Sequence, residues 1–128
     1  MTKKTLTALG LLLGSTVLVS CSSDKQERVS FKQEIYPLLQ KYCVSCHVPP
    51  DGAGFKKSGL SMESYKKLMD GTQHGPIIIP GESINSSLNR MVEGRVDPSI
   101  KMPHGDKQLT KEEILLLKNW VDQGAKNN

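Results

Sequence analysis

The sequence predicts an all-α domain, and three observations carry that prediction. Apolar residues recur at intervals of three and four in four separate segments. A helix-capping signature stands at Thr110. No segment shows the apolar–polar alternation of a half-buried strand. The 128 residues, 37% of them hydrophobic, suit one compact domain plus a leader. With aromatic residues at only 5%, the core left to the protein alone is thin, and a bound apolar cofactor would remedy that.

The leader comes first in the chain. Lys3 and Lys4 form a charged start, and Leu6 to Val19 form a short apolar stretch, so residues 1–20 read as an export signal. The stretch is short for a membrane span. Leu18-Val19-Ser20-Cys21 resembles a bacterial lipobox; cleavage before Cys21 would leave it as the first residue, lipidated on sulfur and amine, which supplies the second acyl chain that stable anchoring needs. The alternative is an ordinary cleaved signal with an incidental cysteine. Both place the domain outside the cytoplasm, in the cell envelope, facing the periplasm or the exterior. Ser22 is not the aspartate associated with inner-membrane retention in enteric-type bacteria, which points to the outer membrane where the host has one. Residues 21–29 are small, polar and charged and read as a lipidated flexible tether, with the domain at 30–128. The formal charge of +4 includes Lys3 and Lys4; without them 15 basic residues face 13 acidic ones, a balance that makes no case for nucleic-acid binding.

The domain's first helix is marked by Phe31, Ile35, Leu38, Leu39 and Tyr42, whose face runs directly into Cys43. Pro37 lacks an amide donor and clashes with the preceding turn, so a kink or a restart near Pro37 is expected. Val48 to Leu60, with Pro49, Pro50, Gly52, Gly54 and Gly59, reads as a loop. Ser61 is placed as an N-cap for a short helix with Met62, Tyr65, Leu68 and Met69 inward, stopped at Gly71. Ile77, Ile78 and Ile79, confined between Pro76 and Pro80, suit an apolar wall. Ile84, Leu88, Met91 and Val92 suggest another short helix ending at Gly94. After Pro98 and Pro103, Thr110 and Glu113 form a capping box; Ile114, Leu117 and Val121 then share a face beside Trp120, and Gly124 offers the stop.

The chemistry lies in the cysteines. Setting Cys21 aside leaves Cys43 and Cys46, two residues apart and followed at once by His47. Cys43-Val44-Ser45-Cys46-His47 is the attachment motif for c-type haem. Its spacing sets two sulfurs about one turn apart, as the two vinyl groups require, and directs the next imidazole to the iron. A zinc site would want four ligands, usually with a second cysteine or histidine pair, and beyond the motif only His74 and His104 remain. A thioredoxin-like pair belongs at a helix N-terminus in a strand-rich unit, which this sequence lacks.

With that motif the sequence resembles the class I cytochrome c family, in particular small single-haem modules of bacterial lipoproteins. The resemblance covers Ile35-Tyr36-Pro37-Leu38-Leu39, the haem motif, Ile79-Pro80-Gly81-Glu82-Ser83 with Ser87-Leu88, Met102-Pro103, and Leu109 to Ile114 with Trp120. It implies a few short helices around one covalently bound haem c, with the first and last helices packed together and a methionine from a late loop as second axial ligand. Met62, Met69 and Met91 sit on apolar stripes and are explained by packing. Met102 is not, and Pro103 holds it out of helical geometry, so Met102 is the expected ligand opposite His47. His104 and His74 stay open as alternatives; the family usually has a small or apolar residue where this chain has His104. Pro49 or Pro50 could offer a carbonyl to the other imidazole nitrogen of His47, Trp120 is expected to pack against Ile35 or Leu39, and Ile77 to Ile79 could line the haem.

The resemblance implies an electron carrier rather than an enzyme, with iron cycling between two oxidation states and no small-molecule substrate. Its partners would be a redox donor and acceptor meeting the exposed haem edge briefly. Lys56, Lys57, Lys66, Lys67, Lys101 and Lys107 could steer an acidic partner, or simply be a solvated surface. The alternative from another class is a haem enzyme or gas sensor of peroxidase-like type, with an open or weakly held sixth position.

Overall fold

The computed structural model describes residues 27–128; the export signal, Cys21 and most of the tether lie outside the described residues. The chain enters through a π-helical turn, Phe31–Ile35, which runs into α1, Tyr36–Tyr42. Pro37 sits in the first turn of α1, where its missing amide costs nothing, so the helix restarts there as expected. Short helices follow: α2 (Ala53–Ser58), α3 (Tyr65–Asp70) and α4 (Ser87–Val92). A 3-10 turn at Pro98–Ile100 leads to α5, Lys111–Asp122, the longest element. No strand forms among the described residues, only an isolated bridge between Thr72 and Gly75. The domain is all-α, as the sequence predicts, and no described helix is long and apolar enough to cross a membrane.

Three boundaries differ from expectation, each for a local reason. The loop expected from Val48 to Leu60 contains α2, a helix with no buried residue and so no apolar period to reveal it. Its first turn is held from outside: the amides of Gly54 and Phe55 both donate to the Cys46 carbonyl, at 2.9 and 3.0 Å. Helix α3 is capped by Ser64, whose hydroxyl accepts from the Lys67 amide, and not by Ser61. Ser61 bonds Glu63 instead. Helix α4 begins at Ser87, leaving Ile84 outside it and 68% exposed. Buried Ser86 holds that turn, its hydroxyl accepting from the Ile79 amide and donating to the Glu82 carbonyl.

The core is organised by aromatic rings. Phe31 packs edge-on against Tyr65 at 5.2 Å and tilted against Trp120 at 5.5 Å, joining the entry turn, α3 and α5. Trp120 is fully buried in one cluster with Ile35 and Leu39, and its indole N–H donates to the Lys126 carbonyl. Ile77 and Ile78 join that cluster while Ile79 is exposed. Helix α5 packs on the entry turn and on α4. Its end also clasps the start of the domain. The Val29 amide donates to Gln123 Oε1 at 2.8 Å, the Phe31 amide to Asn128 Oδ1 at 3.0 Å, and Asn128 Nδ2 to the Val29 carbonyl at 3.1 Å. Val29, read from sequence as the end of the tether, is buried in the core.

Candidate haem site

Helix α1 delivers the motif. Cys43 is its C-cap and donates its amide to the Leu39 carbonyl at 2.8 Å. The next turn closes as the amides of Cys46 and His47 both donate to the Cys43 carbonyl, at 3.1 and 3.0 Å. Cys43, Cys46 and His47 thus occupy one turn. Both cysteines carry free thiols; Cys46 is exposed and Cys43 half-buried. Burial, helped by Cys46 alongside, pushes the Cys43 thiol up to about 12, which keeps it protonated at neutral pH.

His47 is 8% exposed, and its Nδ1 has no hydrogen-bond partner. Neither Pro49 nor Pro50 offers the carbonyl that the sequence suggested. Burial pushes its pKa below the usual imidazole range; the Leu60 backbone opposes this in part without satisfying Nδ1, and the charge of His104 adds to the lowering. A buried neutral imidazole is the form that ligates a metal.

The backbone around His47 is pinned on both sides. Its carbonyl accepts from the Met62 amide at 2.9 Å, and the Cys46 carbonyl takes the two amides of α2. Two glycines that sequence reasoning treated as loop punctuation make this fit possible. A Cβ on Gly54 would lie 2.6 Å from His47 Cε1 and 2.8 Å from Nε2. A Cβ on Gly52 would lie 2.5 Å from the carbonyl oxygens of Cys46 and Val48. No sequence signal marked them, because close approach is a tertiary property.

Met102 lies on a separate loop after the 3-10 turn and is half-buried. Its amide donates to the Met91 carbonyl at 3.3 Å, fastening the loop to the end of α4. The Gln108 side-chain amide clamps the same loop by donating to the carbonyls of Pro103 and Gly105, at 2.7 and 2.8 Å. Lys107 donates to the Lys41 carbonyl and lies over the Tyr42 ring, tying the loop to α1 beside Cys43. His104 is exposed, close enough to His47 for its charge to be felt. It borders an open cleft of about 400 Å³ with Pro103, Asp106 and Gln108. His74 is exposed in the Thr72–Gly75 turn against the Gln73 amide. A second cleft of similar volume, between Ser83, Ile84, Arg95 and Lys118, contains none of the candidate ligands. Met62 is buried in the core and Met69 packs against it, so both serve packing there. Of the lysines considered for steering, Lys56 pairs with Asp51, Lys66 with Asp70, and Lys107 is engaged as above.

A family model described as planctomycete cytochrome c matches residues 43–106, from the first thiol of the motif into the loop that carries Met102. The chain belongs to this cytochrome c family. No curated protein and no solved structure matches it. Cytochromes c bind haem c covalently and carry electrons, and the residues present suit that group. Two free thiols stand one turn apart, and the adjoining imidazole is buried and shifted toward its neutral form. Cys43, Cys46 and His47 of this cytochrome c thus stand together in one short segment between α1 and α2, where they could hold the haem.

Proposed function

We propose that this cytochrome c is a class I, single-haem electron carrier of the cell envelope, exported and anchored through lipid on Cys21. Cys43 and Cys46 are the thioether tethers, and His47 and Met102 the axial ligands. The observation that carries the reading is the single turn holding both free thiols and the buried His47. Bound haem c supplies a one-electron iron couple. The chain's own residues do the rest. Gly54 lets α2 press on the His47 ring and restrict its orientation, and the Met62 amide fixes the His47 backbone. Gln108, Lys107 and the Met91 carbonyl hold the Met102 loop in place. With His47 and Met102 both holding the iron, no position would remain for a substrate, as befits a carrier rather than an enzyme. Transient donor and acceptor proteins are its partners, and the loop's exposed flank around His104 gives them an approach. The export signal at 1–20 and the lipobox ending at Cys21 support the location.

The test is spectroscopic, on the haem-loaded protein. The oxidised wild type is expected to show a low-spin spectrum with the weak far-red sulfur-to-iron band, and Met102→Ala to lose that band. In the same preparations Cys21→Ser is expected to move the protein from the membrane to the soluble fraction. A wild type without the band, high-spin and binding carbon monoxide, would instead support a haem enzyme or sensor.

A further inference from the structure

Two residues account for the buried side-chain nitrogens and oxygens that lack a partner among the described residues. One is His47, through Nδ1. The other is Asn89, through both Nδ2 and Oδ1. His47 belongs to the haem motif, whereas the proposed function leaves Asn89 without a role. Asn89 is 0% exposed and lies in the middle of α4, flanked by buried Leu88 and Val92. Buried amides in native proteins are almost always hydrogen-bonded, because an unmet donor or acceptor has given up water for nothing. An apolar residue would fill such a position at lower cost.

Backbone hydrogen bonds tie α4 to two other segments. At one end the Leu88 amide donates to the Ile77 carbonyl, and at the other the Met91 carbonyl accepts from the Met102 amide. The helix therefore spans from the isoleucine segment to the loop carrying the proposed axial ligand. It also lies inside the stretch, 43–106, that the family model matches.

We propose that Asn89 is a haem-facing hydrogen-bond donor, its Nδ2 amide paired with an acceptor that the bound cofactor brings. The acceptor is a propionate oxygen of the haem or the thioether sulfur of ligated Met102. This rests on the haem reading of the proposed function. Asn89 then contributes to the redox set point, because an N–H directed at either acceptor interacts differently with the oxidised and reduced centres.

The experiment uses the full-length, haem-loaded, detergent-solubilised protein, labelled with 15N and reduced to its diamagnetic low-spin form. The Asn89 side-chain amide protons are expected to exchange slowly and to show nuclear Overhauser contacts. Contacts to the propionate methylenes assign the first acceptor; contacts to the Met102 ε-methyl assign the second. Fast exchange, or contacts to solvent and other side chains only, overturns the proposal. In parallel, Asn89→Leu is expected to change the reduced-to-oxidised ratio at fixed ambient potential by roughly fivefold. The change depends on pH with a propionate partner, and comes with a displaced far-red band when Met102 is the partner. An unchanged potential with an intact low-spin spectrum overturns the proposal. If Asn89→Leu does not fold, the wild-type contacts decide alone. A wild type that attaches no haem defeats the reading beneath the proposal, which is a different result from a haem protein indifferent to Asn89.

Discussion

At the scale of single residues, the site depends on what is left out as much as on what is present. Gly54 has no Cβ, and the His47 ring fills the space one would take. Gly54→Ala forces either α2 or the imidazole to move, and a displacement of that order is enough to disable a site built on fixed geometry. The expected outcome is a severalfold fall in the yield of low-spin haem protein, measured by the absorption ratio of haem to total protein. Ala53→Ser, one residue earlier and exposed, should retain the wild-type yield. Cys43, Cys46 and His47 stand out in the sequence because the attachment proposed for them fixes residue type and spacing together, and the fold sets all three on one turn. Gly52, Gly54 and Asn89 do not, since their importance comes from neighbours that only folding supplies.

Among the elements, α5 was the most legible and α2 the least. Thr110 and Glu113 form both bonds of the capping box, as their spacing predicted. The apolar residues Leu117, Trp120 and Val121 are buried on the expected face. Helix α2 has no such stripe and exists through amides given to Cys46, so a pattern search could only see its glycines and prolines. The start of α3 was misplaced because several serines precede it and only the fold decides which of them caps; that of α4 was misplaced because Ile84 matches the apolar period yet lies exposed outside the helix.

Glu113 does more than cap. Its carboxylate also accepts from Lys41 at 2.8 Å and from the Tyr42 hydroxyl at 2.8 Å, joining α5 to the end of α1 beside Cys43. The Lys41 hydrogen bond, reinforced by the Thr110 amide and Tyr42, holds its pKa at about 2, below an ordinary value of 4.5. A folded-state pKa lowered in this way adds stability above pH 4.5, and that stability is lost as pH falls from about 4.5 to about 2. Urea unfolding across that window should show Glu113→Gln with a flatter pH dependence than wild type. Salt should narrow the difference, since half-exposed Lys41 is screened. Thr110→Ala removes the reciprocal cap and should cost about 1 kcal/mol at neutral pH.

On the scale of the whole molecule, the order of elements along the chain matters less than their closure. The aromatic cluster of Phe31, Tyr65 and Trp120 and the clasp of Val29 and Phe31 by Gln123 and Asn128 join the first and last parts of the domain. The described domain is thus nearly a ring interrupted at one point. A ring can be opened elsewhere. Between Val96 and Asp97 the local bonds fall to either side: Arg95 reaches back to Glu93 and Ile84, while Asp97 caps Ser99 ahead of it. A circular permutant running from Asp97 through a short glycine-serine linker, joining Asn128 to Glu27, and ending at Val96 should keep its helical circular-dichroism signal and attach haem. A permutant that stays unfolded would show that the order of the chain, and not only its closure, is needed. A permutant that folds would put its amino terminus just ahead of the Met102 loop, so that the proposed lipid anchor, moved there, would hold the same electron carrier by a different part of its surface.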